Sequence, residues 1–171
     1  MNKKIFLPTL ITFFFIIFFV FYKGLQNSNI YTPKITLDKE IPFFKAKSFE
    51  NNLLNTDEIF TENKFYLMNI WASWCIPCKE EHPFLMNLSK EKHIEIIGLN
   101  YKDTNDNARS FLKELNNPYD MILSDDDGTI AIEWGAYGVP ESFLIYDKKI
   151  IKKIIGPLNI ILTKEIKKLT E

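Results

Sequence analysis

"FYLMNIWASWCIPCKEEHP", residues 65–83, decides the fold. Its first part, Phe65 to Trp71, is an almost unbroken apolar run, the mark of a strand covered on both faces. A helix pattern follows from about Cys75, with Phe84, Leu85 and Leu88 on one side. The chain's only two cysteines, Cys75 and Cys78, sit at this junction. A pair two residues apart closes too small a ring to constrain the unfolded chain much, so redox or metal work is expected rather than stapling. Cys75 lies near the helix N-terminus, where free N–H groups and the helix dipole favour negative charge. Such placement lowers a thiol from ~8.5 into the range of about 3.5–7.5. Cys75 is therefore the expected nucleophile, and Cys78, one turn further and more buried, resolves the mixed disulfide. Pro77 suits the first helical turn, where no hydrogen bond is lost.

Rival readings of the pair fail on spacing and context. Cys75, Cys78, His82 and His93 make a nominal zinc set, but metal-knuckle cysteines sit on turns between short strands, not on an apolar strand entering a helix. Haem attachment needs a histidine where Lys79 stands. A peroxidatic site needs Pro and Ser or Thr where Met68 and Ala72 stand. No metal and no cofactor is expected.

Outward from this stretch, strand and helix patterns alternate. "IEIIGLNY" (94–101) is a second buried strand. "DTNDNARSFLKELNN" (103–117) carries capping residues and then Phe111, Leu112 and Leu115 at helical spacing. "MIL" (121–123) is a short strand, "SDDDG" a turn, and "TIAIEWGAY" (129–137) a short helix. "SFLIY" (142–146) and "KIIKKII" (149–155) flank a tight turn at Asp147-Lys148 and read as a hairpin. "LNIILTKEIKKL" (158–169) is a closing amphipathic helix. This order predicts an α/β domain, a mixed sheet with helices on both faces. "DDDG" is not a calcium loop: with Gly128 at position six, Leu123 and Trp134 occupy positions that need acids.

Ile5 to Tyr22 is different in kind: 18 residues without a charge, holding seven of the fifteen Phe. At about 1.5 Å per residue such a run reaches roughly 27 Å, enough for a bilayer core. It is longer than a signal h-region and leaves through Phe21-Tyr22-Lys23 without a small-x-small site, so it reads as an uncleaved anchor. Lys3 and Lys4 before it place the N-terminus in the cytoplasm. Residues 1–22 are thus the expected cytoplasmic N-terminus and transmembrane anchor, 23–38 a polar tether and 39–171 the folded domain. The chain's formal net charge of −1, with three lysines and no acid in residues 1–23, leaves −4 on the rest. With a single Arg, Arg109, and no basic stripe, nucleic acid is excluded as a partner.

At "WASWCIPC" the chain resembles the thioredoxin superfamily. Pro83 lies where thioredoxins kink the active-site helix, and Val139-Pro140 precedes "SFLIY" where the family places its cis-proline loop. More narrowly, "NIWASWCIPCKEEHP", "GLNYKD" (98–103), "SDDDGTIAIEWGAYGVPESFLIYD" (124–147) and "GPL" (156–158) resemble the DsbE/CcmG branch of thiol:disulfide interchange proteins. That resemblance implies a thioredoxin-like fold and a redox-active Cys75–Cys78 disulfide. It also implies a membrane-anchored reductant of apocytochrome c or its maturation proteins on the periplasmic side of the inner membrane. Electrons would come from a transmembrane thiol reductase of the DsbD type. The Cys75–Cys78 spacing departs from the C-x-x-x-C of copper-delivery relatives, and 101–120 leaves no room for the helical insertion of a DsbA-type oxidant.

Six further residues complete the expected site. Thioredoxins bury an Asp where Asn69 stands, and Asn69 cannot ionise. Spacing alone leaves Glu80 and Glu81 open as solvated surface acids; the family resemblance implies Glu81, three residues after Cys78 on the same helix, as the replacement proton acceptor. Pro140 joins Cys75, Cys78 and Glu81 as catalytic. Val139 offers backbone for strand-like pairing with an extended substrate, and Glu141 is expected on the rim facing Cys75. Trp74 is expected to shield Cys75. Asp103 reads as a helix cap that, in this family, lies near the groove; it joins Trp74, Val139 and Glu141 as partner-binding.

Overall fold

The computed structural model describes residues 3–26 and 39–171, with side chains described for 8–23 and 39–171. Two compact units result, divided between Ile35 and Thr36. The first holds one helix, α1 (Lys3–Gln26), in which Thr12 donates its hydroxyl to the Pro8 carbonyl at 2.8 Å. Among the described residues no helix is long and apolar enough to cross a membrane. The helix runs on to Gln26, past the expected start of the tether, and the rest of the tether lies outside the described residues.

The second unit runs β1 (Lys39–Glu40), β2 (Lys45–Ser48), β3 (Leu53–Asn55), α2 (Thr56–Ile59), β4 (Phe65–Trp71), α3 (Ile76–Leu88), β5 (Ile94–Tyr101), α4 (Asn105–Leu115), β6 (Met121–Asp125), α5 (Thr129–Glu133), β7 (Glu141–Tyr146), β8 (Lys149–Ile155) and α6 (Ile160–Thr170). The strands form one sheet in the order β1-β8-β7-β4-β5-β6-β2-β3. β4, β5 and β6 are parallel, as the alternating pattern requires, and β7 and β8 add antiparallel. The antiparallel additions β1, β2 and β3 lie in residues 39–55, where the sequence shows no run long enough to announce a strand.

β4 is central and buried from Tyr66 to Trp71. Its pleat sends Leu67, Asn69 and Trp71 to one face and Tyr66, Met68 and Ile70 to the other. The first face packs with Leu85 and Leu88 of α3, Phe111 and Leu112 of α4, and Ile166 of α6; the second packs with Ile59, Phe60, Ile130, Trp134 and Phe143. Full burial of each such side chain is worth ~1.5–3 kcal/mol. Asn69 is thereby placed on the α3 face, beneath the active-site helix.

Three local features shape the site. Gly98 of β5 lies where a Cβ would come within 2.8 Å of Trp71 Nε1 and 2.9 Å of Tyr119 Cγ, so only glycine lets those two rings stack across the strand. The β7–β8 hairpin turns through Asp147 and Lys148, both with positive φ, the geometry of a two-residue mirror-image turn. A bulge opposite Leu144 and Ile145 leaves Ile151 as the extra residue of β8. It sends Ile150 to one core and Ile154 to the other, and sets Lys153 opposite Phe143 on the same face as Glu141. Finally, β6 extends to Asp125, so "SDDDG" begins inside a strand; the buried Asp125 carboxylate accepts the N–H groups of Ile130 (3.1 Å) and Ala131 (2.9 Å) and seats α5.

Candidate active site

Cys75 is the N-cap of α3 with extended backbone, and Pro77 lies within the first turn. Its Sγ accepts the Cys78 backbone N–H at 3.1 Å, a bond a thiolate would strengthen. The two sulfurs are joined as a disulfide, with Cα atoms 5.3 Å apart. Both cysteines are buried, so the expected contrast in burial is slight in this oxidised form. Pro83 lies inside the helix, as expected.

Glu81 is fully buried on the sheet-facing side of α3. Its Oε1 accepts from Asn69 Nδ2 at 2.9 Å and its Oε2 from the Leu158 backbone N–H at 2.7 Å. No cation is among these partners. Burial is the dominant influence and pushes the carboxyl up to about 7, opposed by the Leu158 and Asn69 hydrogen bonds. Asn69 is itself oriented: Tyr119 donates its hydroxyl to Asn69 Oδ1 at 2.9 Å, forcing Nδ2 toward Glu81 and toward Ser142 Oγ at 3.0 Å. Burial, with Glu81 nearby, holds the Tyr119 phenol well above its ordinary value, so it remains a donor. Asn69 thus supplies an oriented donor that holds the Glu81 carboxyl.

The loop between β4 and α3 is braced from β5–α4. Asp103 accepts from the Ser73 backbone N–H at 2.6 Å and from Ser73 Oγ at 2.9 Å, while Asn100 Nδ2 and the Thr104 N–H bind the same carboxylate at 3.2 and 2.8 Å. The cap of α4 is Thr104, not Asp103; Asp103 instead holds the cysteine loop. Trp74 donates its indole N–H to the Lys102 carbonyl at 3.0 Å, and its ring is more than half exposed. It is an exposed aromatic next in sequence to the buried Cys75.

The Val139–Pro140 bond is cis. Ile70 of β4 pairs with Glu141 of β7, so the loop ending in Pro140 reaches the same end of the sheet as the Cys75 loop. Val139 packs against the core cluster that contains Cys75 and Cys78. The rim position expected for Glu141 is corrected: the residue is 1% exposed. Its Oε1 accepts from the Tyr137 and Gly138 N–H groups at 2.7 and 3.2 Å, and its Oε2 lies 2.8 Å from Lys153 Nζ, an ionic contact rather than a well-directed hydrogen bond. The reason is the register: Glu141 opens a strand covered on both sides, and the β8 bulge delivers a cation to it.

The nominal zinc ligands are dispersed. His82 is buried and donates Nε2–H to the Asn116 carbonyl at 2.9 Å, with burial holding its pKa below the ordinary value; His93 Nε2 is 2.9 Å from Thr170 Oγ1. Among the described residues no group of three or more His, Cys, Asp or Glu is placed to hold a metal. The residues that sequence reasoning missed, Ser73, Tyr119, Ser142 and Lys153, act through hydrogen bonds or ion pairs across 30 to 73 positions or across a bulged strand pair, and carry no local pattern.

Comparison with known proteins agrees with this geometry. The redoxin family model matches residues 36–164. The thiol:disulfide interchange protein DsbE of Escherichia coli strain K12 is 36% identical over 165 residues, covering 93% of this chain and 89% of that one. The thiol:disulfide interchange protein CycY of Rhizobium leguminosarum bv. viciae is 49% identical over 105 residues, 61% of this chain, which spans only 56% of that relative. Among solved structures, the thioredoxin domain of a thiol-disulfide oxidoreductase from Bacteroides vulgatus superposes with a TM-score of 0.67 at 18% identity, covering 81% of this chain and all of that one, a likeness of fold. With a redox-competent cysteine pair at a strand–helix junction and these matches over most of its length, the chain belongs to the redoxin family, among the DsbE-type thiol:disulfide interchange proteins.

Proposed function

We propose that the protein reduces disulfides of apocytochrome c, or of the proteins that mature it, from the outer side of the cytoplasmic membrane. The observation that carries the chemistry is the pairing of an N-capping Cys75 with a buried, cation-free Glu81 on the same helix as Cys78. In the reduced protein the Cys75 thiolate attacks one sulfur of a substrate disulfide, forming a mixed disulfide and releasing one substrate thiolate. The Cys78 thiol then gives its proton to Glu81, and the resulting thiolate attacks Cys75 Sγ. The second substrate thiolate leaves, and Cys75–Cys78 closes into the bond seen here. Two electrons pass to the substrate. A carboxyl near neutrality accepts a proton from a thiol more readily than an ordinary carboxylate does.

Val139 and Pro140 support binding of an extended substrate segment beside Cys75, and exposed Trp74 and Ile76 provide apolar contact around it. The uncharged run from Ile5 to Tyr22 supports a single-pass anchor with the domain on the periplasmic side. A dithiol donor must restore the reduced form; a transmembrane thiol reductase of the DsbD type fits that chemistry and place. The test is a Cys78→Ser trap in the full-length protein, recovering what becomes disulfide-bonded to Cys75. Apocytochrome c or its maturation proteins are expected; a broad spread of secreted proteins would replace this reading by a general reductase.

A further inference from the structure

Lys153 belongs to no motif, yet its side chain is 3% exposed and sits at the centre of the loop that precedes the cis-proline. Its Nζ donates to the Gly135 carbonyl at 2.8 Å and lies 2.8 Å from Glu141 Oε2. The same ammonium stands over the Tyr137 ring at 4.4 Å and the Phe143 ring at 5.3 Å from their centroids. The other Glu141 oxygen holds the N–H groups of Tyr137 and Gly138. One buried ion pair therefore grips residues 135, 137 and 138, immediately before the backbone of Val139. A lysine buried this deeply is destabilising unless its partners are fixed, so the arrangement holds only while the loop keeps this shape.

We infer that Lys153, through Glu141, is a positioning residue that presets the Gly135–Val139 loop for pairing with an extended disulfide-bearing polypeptide, and so governs affinity for protein substrates rather than the reactivity of Cys75. This rests on the proposed reductase reading, which supplies the substrate class. A loop already in its binding shape saves the partner the ordering cost that a mobile loop would impose. Without the cation, the Gly135 carbonyl and Glu141 Oε2 lose their shared partner, and the loop opens.

The test compares wild type, Lys153→Met and Lys153→Arg in the full-length protein. Three quantities are read: amide exchange of Tyr137 and Gly138, KM for a peptide carrying an intramolecular disulfide, and the rate of Cys75 with the small disulfide DTNB. Lys153→Met is expected to speed exchange at both amides and raise KM, each about tenfold, with kcat and the DTNB rate unchanged; Lys153→Arg is expected to restore most of both. Because a stranded Glu141 can prevent folding, Glu141→Gln/Lys153→Met removes both charges while keeping a carbonyl acceptor, and it is expected to show the same rise in KM. Unchanged exchange, an unchanged KM, or a DTNB rate that falls as KM rises would overturn the inference. A wild type that reacts with DTNB but not with the peptide sinks the reductase reading instead, and exchange then decides the role of Lys153 alone.

Discussion

Two glutamates are almost wholly buried at the active-site end of this sheet, and they are built in opposite ways. Glu81, under α3, is held by two neutral donors, the Asn69 amide and the Leu158 N–H. Glu141, beside the cis-proline, is held by two N–H groups and the Lys153 ammonium. A buried carboxyl without a cation can exchange a proton near neutrality, because desolvation opposes its charge and only hydrogen bonds support it. A buried carboxylate with a cation serves as a strut, since losing either partner strands the other. The same residue type is thus suited to proton exchange under α3 and to carrying structural load beside the cis-proline.

The strongest way to break this contrast is to strand the lysine. Glu141→Leu is expected to cost about 3–5 kcal/mol in urea unfolding, and adding Lys153→Met is expected to recover most of that loss. A single variant as stable as wild type would show that the pair bears no structural load. Next in size is the pH dependence carried by Glu81. Its folded pKa, about 7, lies above the ordinary 4.5, so its stabilising effect is complete below about pH 4.5 and is lost as pH rises through 7. The difference amounts to about 3 kcal/mol. Comparing wild type with Glu81→Gln across pH 4–8 isolates it: wild type is expected to fall relative to the variant over this window. The variant should also carry a constant penalty, because Gln can accept from only one of Asn69 Nδ2 and Leu158 N–H and turns a donor on the other. A flat difference would remove Glu81 as a titrating group. The smallest expected effect sharpens the neutral network. Tyr119→Phe leaves Asn69 Oδ1 without its donor and should cost about 1 kcal/mol. Carbon-13 NMR should show Glu81 titrating at higher pH as the amide loses its fixed orientation. Unaltered titration would make Tyr119 a packing residue only.

Much of this was legible beforehand because it rests on local pattern. Phe65–Trp71 and Ile94–Tyr101 are buried strands and look it; Asp147-Lys148 sits where the hairpin turns; Cys75 caps the helix that its spacing required. Helix spacing puts Glu81 one turn beyond Cys78 but does not by itself separate it from a surface acid such as Glu80; the family resemblance singles it out. Residues 39–60 were silent, since their strands are two to four residues long and join the sheet by pairing to edges already made. Asp103 was read from its neighbours as a cap, whereas its main partner, Ser73, is thirty positions away. Glu141 directly follows Pro140, which places it on the rim by resemblance; nothing nearby in the sequence foretells that Lys153 meets it.

By itself, then, the sequence determined the alternation of strand and helix, the thiol pair at a helix N-terminus, and an acid one turn beyond it. These follow from periodicity and spacing within single elements, where geometry is set by the backbone's own repeat. Which buried acid is placed to exchange a proton and which to carry load depends on tertiary structure alone. That choice depends on one bulge in β8, which turns a lysine inward toward Glu141, and on one glycine in β5, which admits Tyr119 beside Trp71, where its hydroxyl reaches Asn69. Desolvation and charge pairing are properties of surroundings, and surroundings exist only once the chain has folded.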